Sequence, residues 1–555
     1  MSNPAAAPVQ QNASTNNAKY VSIIPENGTE FKPNQKLTFN IDPSIGWIKG
    51  RDSYLVFDIE NTAATPVKLS LRKGGISSII KQVNIFSAQN GMLLETLDDY
   101  NKWSACEMEY KHDDTTNLVN VEGCMRFQEA KSGLAPSTTD VKLYHNLRNT
   151  MNQPENHRLT PQDNDNQPMV SSVRLCCPLK CGIFRWWDDE TLVPILQMGG
   201  LRVEIILAPA IEVLDLPYLH AGGGGGGGTG YGVSALVKGG ADAGNLLKLL
   251  CEDGATADTK ITIADVNINQ SNCGFLIGNS IVFTGTNAAT PADYTKTITT
   301  ITTSAGGKVE LNFATGIGTD ITDVHVELTP LDAGDLDYKI TSAEFRLLQE
   351  MPPQTQLKNV DYVFTSYDVF RDTIPQTQTN FNQDISSVAS KACAIFTSYE
   401  DSNYDSIADF PNNAYYQGLA PDETGVNLNS VVYFINNKLY PLRAYNPQRY
   451  GDRVINQNEL VKAFGTINIP VKHLGSSEFA DLGQYTNRYL HARELARGDS
   501  VFNLQNAEPQ IRIGFSDGRG TDKYGQQISN VRMTSWVFSK KIIHIDGDTG
   551  LSIEH

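Results

Sequence analysis

Apolar and polar residues alternate along several short stretches of the chain. Residues 36–42 and 53–60 place an apolar side chain at every second position, as half-buried β-strands do. Further runs rich in β-branched and aromatic residues, separated by Gly, Asn, Asp and Pro, predict strands at 79–86, 173–184, 201–207, 338–348 and 362–370. Helical periodicity predicts only two short helices, at 97–110 and 457–464. The pattern therefore favours an all-β protein.

The strand pattern restarts after an interruption at 374–377, whose sequence is Ile-Pro-Gln-Thr. The restarted pattern predicts a strand around Phe381 and further strands at 391–397, 431–440, 511–515 and 531–545. Many short strands with long connections are typical of Greek-key sandwiches, of which the jelly roll is the eight-stranded form. We expect a double jelly roll, that is, two consecutive eight-stranded jelly rolls with long loop insertions. The expected divisions are a flexible N-terminal arm at 1–18, a first roll at 19–374 and a second roll at 375–555.

Two long connections interrupt the first predicted roll. One, at 209–337, contains seven consecutive glycines, 222–228, followed by a weakly charged region rich in Thr and Ala. Strand patterns at 260–268, 274–285, 294–303 and 309–313 predict a small β subdomain within this Gly-rich insertion. The other connection, at 98–171, includes a polar stretch rich in Asn, Gln and Asp.

Length and charge narrow the class of protein. A chain of 555 residues exceeds what one core supports, so at least two domains are expected. Its 40% of hydrophobic and 19% of charged residues indicate a globular protein, and no apolar stretch reaches membrane-spanning length. The net charge of -17, without any Lys/Arg-rich run, opposes direct binding to nucleic acid.

The N-terminal sequence indicates whether the protein is secreted, and the cysteines indicate whether disulfides or a metal site are expected. Residues 1–18 lack the charged, apolar and cleavage regions of a signal peptide, so we expect no secretion, unused glycosylation sequons and no disulfides. The eight cysteines are then expected to be free thiols. Cys176, Cys177 and Cys181 form the one cluster that could suggest a metal, but no second ligand pair follows it. No metal and no cofactor are predicted.

The chain carries none of the common catalytic or ligand-binding motifs. The chain contains no HExxH, no GxSxG and no GxxxxGK[ST]. The glycine tract at 222–230 fits GxGxxG only as any glycine run does, and no βαβ context surrounds it. Residues 163–165, Asp-Asn-Asp, begin like a calcium loop, but Pro168 occupies the position that needs glycine. These features predict neither a nucleotide site nor a calcium site.

Three other groups of residues could carry chemistry. The nine histidines are scattered singly, without partners at metal-ligand spacing. The acidic pairs at 98–99 and 188–189 could be compared with the two carboxylates of a glycosidase, but nothing in the sequence places them across a cleft. Phe184, Trp186 and Trp187, beside Arg185, could stack a sugar or a base, although core or subunit-contact anchors are the commoner role. We expect no catalytic residue and no enzyme.

Several landmarks, in order, resemble the double jelly-roll major capsid proteins of polinton-like viruses and virophages, relatives of the adenovirus hexon lineage. They cover most of residues 20–545 and are IPENG at 24–28, LTFNI at 37–41, SYLVFDIE at 53–60, IFSAQNG at 85–91, LDDYN at 97–101, PLKCGIF at 178–184, LVPI at 192–195, GGLRVEI at 199–205 and YFINNKLYP at 433–441. The glycine tract and most of 229–336 match no part of that family. The resemblance also makes 98–171 and 209–337 the DE and FG connections, which share one end of a roll.

The resemblance implies a structural function. The chain would be a major capsid protein of the virion shell, made inside the infected host cell and assembling as homotrimers whose six rolls form a pseudo-hexagonal capsomer of an icosahedral capsid. Its partners would be itself, neighbouring capsomers, penton proteins and minor capsid proteins. Two alternatives remain: a secreted β-sandwich carbohydrate-binding protein or glycosidase, and a virion receptor-binding spike. The absence of a signal peptide opposes the first, and the absence of repeats or a coiled-coil stem opposes the second.

Overall fold

A computed structural model gives the architecture of the chain. The residues that it describes are 18–62, 70–71, 75–111, 172–188, 191–215, 248–252, 258–263, 280–286, 291–304, 306–316, 322–328, 337–350, 359–387, 389–402, 426–471, 489–496, 502–505, 507, 509–516, 530–546 and 550–554. The N-terminal arm predicted at 1–18 therefore lies outside the described residues, except for Ala18.

Strands dominate the described residues, as the alternating pattern predicts. The first part of the chain contains β1 (Lys19–Ile23), β2 (Glu30–Phe31), β3 (Lys36–Ile41), β4 (Trp47–Asn61), β5 (Ser70–Leu71), β6 (Ile80–Ser87), β7 (Leu93–Leu97), α1 (Tyr100–Lys111), β8 (Ser172–Pro178), β9 (Leu201–Leu207), α2 (Ala210–Val213) and β10 (Leu214–Asp215). Short 3-10 helices span Pro43–Ile45 and Gly75–Ile79. The insertion contains β11 (Lys248–Leu250), β12 (Lys260–Thr262), β13 (Ser280–Thr286), β14 (Pro291–Thr303), β15 (Val309–Phe313) and β16 (Thr322–Leu328).

The rest of the chain returns to the first sandwich and then builds the second. Its elements are β17 (Tyr338–Glu350), β18 (Asn359–Ile374), β19 (Asn380–Asp384), β20 (Ala392–Asp401), β21 (Leu428–Ile435), β22 (Lys438–Tyr445), α3 (Tyr450–Thr466), β23 (Leu490–Glu494), β24 (Gln510–Phe515), β25 (Val531–Asp546) and β26 (Gly550–Glu554). The two predicted helices are confirmed as α1 and α3. Within the described ranges, no helix has the length and apolar character needed to cross a membrane.

The first sandwich is a jelly roll. One sheet has the strand order β1-β17-β4-β8 and the facing sheet has the order β3-β9-β6-β7. When the eight strands are lettered B to I along the chain, these orders are B-I-D-G and C-H-E-F, the arrangement of a jelly roll. The second sandwich repeats it, with β18-β25-β20-β23 facing β19-β24-β21-β22. The prediction of two consecutive eight-stranded jelly rolls is confirmed.

The boundary between the rolls differs from the predicted one. β18 pairs with β25 along its whole length, from Asn359 opposite Asp546 to Ile374 opposite Val531. It is therefore the first strand of the second roll, and the division at 374/375 is wrong. Pro375 ends this strand because proline cannot donate to the sheet, but a strand end is not a domain end. The first roll ends with β17, and the second roll begins with β18.

Two predicted strands also need correction. The run at 431–440 is a hairpin, β21 and β22, because Asn436 and Asn437 both adopt positive φ angles, 50° and 57°. Asparagine tolerates this left-handed conformation, which reverses the chain in two residues. The run at 173–184 ends as a strand at Pro178, and the residues after it form turns that contact the second roll.

The six described strands β11 to β16, within Lys248 to Leu328, form a small barrel of their own. Its strands pair in the order β11-β16-β13-β14-β15-β12, and a bridge between Cys251 and Ile263 joins the two ends of this row. Buried side chains such as Ile281, Ile298 and Leu311 fill its interior and belong to neither main core. The strands β12 to β15 lie at or near the stretches where strands are predicted, and the division of the chain into an insertion at 209–337 stays a prediction.

Both long connections leave the first roll at the same end. β8 begins at Ser172 opposite Glu60, and β17 begins at Tyr338 opposite Asn61, so both strands start beside the end of β4. By strand order, the connection at 98–171 joins strands F and G, and the connection at 209–337 joins strands H and I, so the predicted labels DE and FG are wrong. The two connections nevertheless lie at one end of the roll, as predicted. The HI connection is also closed at its base, because Tyr338 Oη donates to the Ala208 carbonyl at 2.6 Å.

Candidate functional site

The larger of the two hydrophobic cores formed by the described residues contains side chains from both rolls. It joins the interior of the first roll, α1 and the turns after Pro178 to the outer face of the β18-β25-β20-β23 sheet and to α3. A second core fills only the interior of the second roll. The junction between the rolls is therefore packed like the inside of a domain, and it is the candidate functional site of a protein whose two rolls act together.

Trp103 of α1 is the central side chain of the junction. It is 1% exposed. All five rings that surround it belong to the second roll, with centroids 4.7 to 6.2 Å away: Phe538, Phe396, Trp536, Tyr367 and Phe464. Tilted and edge-to-face pairs at such distances stabilise beyond the burial of area alone. α1 thus inserts an aromatic anchor of the first roll into the second.

Glu107 holds the aromatic turns of the first roll against α1. Its carboxylate is fully buried and accepts from Trp186 Nε1 at 2.8 Å and from Trp187 Nε1 at 3.1 Å. Lys180 Nζ lies 3.6 Å from the same carboxylate, and Lys111 Nζ lies 4.5 Å above the Trp186 ring. The aromatic cluster is therefore engaged in the junction, where Trp187 packs 5.2 Å from Phe538 of the second roll.

Glu95 is a buried carboxylate between the rolls. One oxygen accepts from Gly182 N at 2.8 Å and from Ser366 Oγ at 2.7 Å, and the other accepts from Ile183 N at 3.0 Å. Burial raises the pKa of Glu95, and these hydrogen bonds oppose the rise. Gly182 is required for the close approach, because a Cβ there would lie 2.1 Å from the Thr365 carbonyl oxygen.

Asp99 centres a charged network at the start of α1. Its side chain is 3% exposed and lies 2.5 Å from Arg371 Nε of the second roll and 3.1 Å from Lys81 Nζ. Burial raises the pKa of Asp99, but Lys102, Lys81 and Arg371 together outweigh it and lower that pKa to about 2. A carboxylate held in this way crosslinks the rolls rather than serving as an acid.

A second buried ion pair joins the rolls directly. Lys102 Nζ of α1 lies 2.7 Å from Glu400 Oε2 of β20, with side chains 3% and 7% exposed. Arg532 Nη1 lies 3.8 Å from the same carboxylate. A buried pair adds little net stability over an apolar replacement, but it fixes geometry, because breaking it leaves an uncompensated charge. The pairs at Asp99 and Glu400 therefore define one orientation of the two rolls.

The remaining polar contacts extend along β18 and α3. Asp188 accepts from the Thr365 amide and hydroxyl, both at 2.8 Å. Tyr362 Oη donates to the Ile183 carbonyl at 2.7 Å, and Asn468 Nδ2 donates to the Trp187 carbonyl at 3.0 Å. The described members of both acidic pairs thus lie in the junction, and no arrangement of two carboxylates across an open cleft is formed by them.

The other candidate residues have separate positions. Cys177 and Cys181 are buried in the core, whereas Cys176 is half-buried, and all three are free thiols. Burial raises the pKa of Cys181 well above its usual value. In the part of the chain that the structure describes, no group of three His, Cys, Asp or Glu side chains is placed to hold a metal ion. Asp189, the residues at 163–168 and the glycine tract lie outside the described residues.

Two described histidines have defined surroundings. His491 is buried in the second roll, with Tyr399 Oη 2.8 Å from Nε2 and Tyr433 Oη 2.7 Å from Nδ1. Burial lowers the pKa of His491 to about 3, so the ring is neutral and one hydroxyl donates to it while the other accepts. His544 is exposed at the surface and pairs with Asp361 at 2.7 Å.

No family model and no curated protein matches the chain. Among solved structures, it is similar to the Sputnik virophage structure, with a TM-score of 0.46 at 11% identity over 100% of this chain and 92% of that one. It is also similar to the Faustovirus major capsid protein, with a TM-score of 0.46 at 9% identity over 95% and 90% of the two chains. For the mavirus major capsid protein the TM-score is 0.44 at 9% identity, over 100% and 95%. The strand order of the two sandwiches by itself establishes the double jelly roll.

Proposed function

We propose that the protein is the major capsid protein of a virus and that its role is structural rather than catalytic. It assembles as pseudo-hexameric homotrimers, which tile an icosahedral shell. The observation that carries this proposal is the repetition of one jelly roll, with the same strand order, in two units joined by a buried junction. Three such chains supply six similar rolls, which is what a capsomer of hexagonal outline needs.

The junction supports this role because tiling requires rolls at a fixed angle. Trp103 and the buried pair of Lys102 with Glu400 hold the rolls in one orientation before any assembly takes place. A subunit that is already rigid loses less conformational freedom when it joins a larger assembly. The residue landmarks that resemble virophage and polinton-like capsid proteins support the same function.

The long connections and the charge suggest the orientation and the partners. FG and HI leave the first roll at one end, so we propose that they form the outward tower of the capsomer. The net charge of -17 opposes direct contact with the genome. Hexagonal capsomers cannot close a fivefold vertex, so penton and minor capsid proteins are the further partners that we propose, in a virion shell.

Light scattering on the purified full-length chain tests self-assembly. The proposal predicts a stable particle of three times the chain mass of 60.9 kDa at micromolar concentration. A stable monomer over the same concentrations would contradict it. Detection of a specific hydrolytic activity that a single substitution abolishes would contradict the structural role.

A further inference from the structure

Lys81, Asn101 and Glu212 meet at one carboxylate oxygen in the first roll. Lys81 lies on β6, Asn101 in the first turn of α1, and Glu212 in α2, so three separate elements bring them together. Lys81 Nζ donates to both oxygens of Glu212 at 2.9 Å, and Asn101 Nδ2 donates to Oε2 at 2.8 Å. A shared acid therefore holds an amine and a carboxamide side by side.

The three side chains are largely removed from solvent. Asn101 is fully buried, and Glu212 is 7% exposed. The Lys81 side chain is 29% exposed. Its neighbour in sequence, Ile80, and Val213 next to Glu212 are fully buried core side chains. Water, which would compete with an amine for the carboxamide carbon, has little access to it.

The carbonyl oxygen of the Asn101 carboxamide has a hydrogen-bond donor of its own. Asn101 Oδ1 accepts from the Lys102 backbone amide at 2.9 Å. Amides in the first turn of a helix have no intrahelical acceptor, so this one is available to the side chain. A donor on this oxygen stabilises the negative charge that develops there when a nucleophile attacks the carbon. The carboxamide is thus placed as an electrophile, with its nitrogen on an acid and its oxygen on a donor.

We propose that Lys81 and Asn101 form an intramolecular isopeptide bond. The bond from Lys81 Nζ to Asn101 Cγ forms, the Cγ–Nδ2 bond breaks, and the carboxamide nitrogen leaves as ammonia. One amide replaces another, so no oxidant, cofactor or energy source is needed. The fold holds the reacting groups together and so supplies the effective concentration that amide exchange in solution lacks. This modification goes beyond the structural role proposed above and does not depend on it.

Glu212 is the group that moves the protons. Burial lowers the pKa of Lys81, but Asp99 and Glu212 together outweigh burial and raise it, so the amine is charged at neutral pH. The amine becomes a nucleophile once its proton passes along the existing hydrogen bond to Glu212, and the same carboxyl then protonates the departing Nδ2. Starting from the charged amine, the balanced products are the isopeptide, ammonium and the regenerated carboxylate. Because the neutral amine is the minor species, the bond is expected to form slowly after folding.

The bond would fix the junction helix to the first roll. Trp103, which anchors the second roll, follows Asn101 in α1, and Lys81 belongs to the sheet of the first roll. The chain between Lys81 and Asn101 would become a closed loop, which restricts the unfolded chain in the way a disulfide does. Unlike the ion pairs of the junction, this tie would persist in denaturant.

The mass of the full-length chain tests the proposal. The isopeptide lowers this mass by about 17 Da, which is the mass of one ammonia. Wild-type protein, incubated after purification until its mass is constant, is expected to show this loss in most molecules. Trypsin does not cleave after an acylated lysine, so residues 74–102 are expected as one peptide with the same mass deficit. Fragment ions that join Lys81 to Asn101 identify the bond.

Substitutions separate the isopeptide from another reaction with the same mass loss. A succinimide at an Asn-Gly pair also releases ammonia, and the chain has such pairs at 27–28 and 90–91. Lys81→Arg removes the nucleophile and keeps the positive charge, whereas Glu212→Gln removes the proton carrier and keeps the shape. Both variants are expected at full mass, with tryptic cleavage after residue 81 restored.

The matched control is Lys36→Arg, which replaces another lysine of the same sheet that pairs with a glutamate, Glu204, at 3.1 Å. This control is expected to keep the mass loss. Full mass in the wild type would overturn the proposal, and so would a mass loss that persists in Lys81→Arg. The wild-type peptide map decides the question even where a variant fails to fold, which circular dichroism would show.

Discussion

Removing the Trp103 side chain should uncouple the two rolls. In Trp103→Ala, the second roll loses a ring that contacts five of its own aromatic side chains at 4.7 to 6.2 Å, and a cavity replaces a fully buried indole. Truncation of a buried Trp to Ala costs about 3 to 5 kcal/mol. At about 1.4 kcal/mol for each factor of ten, the folded population relative to the unfolded one falls by roughly a thousandfold.

Urea denaturation followed by far-ultraviolet circular dichroism measures this loss. Trp103→Phe is the matched variant, because a smaller ring keeps part of the aromatic contact and should cost clearly less than the alanine substitution. Leu442→Ala removes a side chain that is 92% exposed and should change the unfolding free energy by no more than about 0.5 kcal/mol. A loss of less than about 1 kcal/mol in Trp103→Ala would refute the conclusion that this residue joins the rolls.

Three further predictions concern charge and modularity. Asp99→Asn should lower the free energy of unfolding by about 2 kcal/mol at pH 7, because the folded pKa of Asp99 is about 2 against 3.8 in the unfolded chain. The difference in unfolding free energy between wild type and variant should vanish as the pH falls from about 4 to about 2. A difference that does not change with pH in urea titrations would contradict this prediction. His491 is buried and has a folded pKa of about 3 against 6.5 in the unfolded chain. The free energy of unfolding of the wild type should therefore fall by about 1.4 kcal/mol for each pH unit as the pH drops from 6.5 to 3. The same dependence of stability on pH in His491→Phe would contradict this assignment. Replacing residues 221–336 with a short Gly/Ser linker should preserve the circular dichroism of the rolls and the oligomeric mass, since Tyr338 and Ala208 are joined by a 2.6 Å hydrogen bond at the base of the insertion; an unfolded chain would contradict it.

The regular strands could be predicted from the sequence because burial on one face leaves a period of two. β3 and β9 alternate buried and less buried positions along their whole length, and both were predicted within a residue. Short or irregular strands, such as β7 and β23, carry too few alternations to be recognised. The hairpin at Asn436 and Asn437 was missed because a two-residue turn leaves the apolar run on either side of it continuous.

The junction could not be predicted for a different reason. Asp99 and Lys102 resemble surface charges at the start of a helix, so the local sequence of α1 gives no sign that both are buried. Lys102 and its partner Glu400 are 298 residues apart in sequence, so their contact exists only after both rolls have formed. The aromatic segment at 184–187 gave the one usable signal, since core or contact anchors were the favoured interpretation of its rings.

Electron microscopy of the purified full-length protein tests the central claim most directly. Class averages are predicted to show particles with threefold symmetry and six similar densities in a hexagonal outline, each density matching one β-sandwich, with the FG and HI connections projecting from one side. Isolated two-lobed monomers, or oligomers without threefold symmetry, would contradict the account.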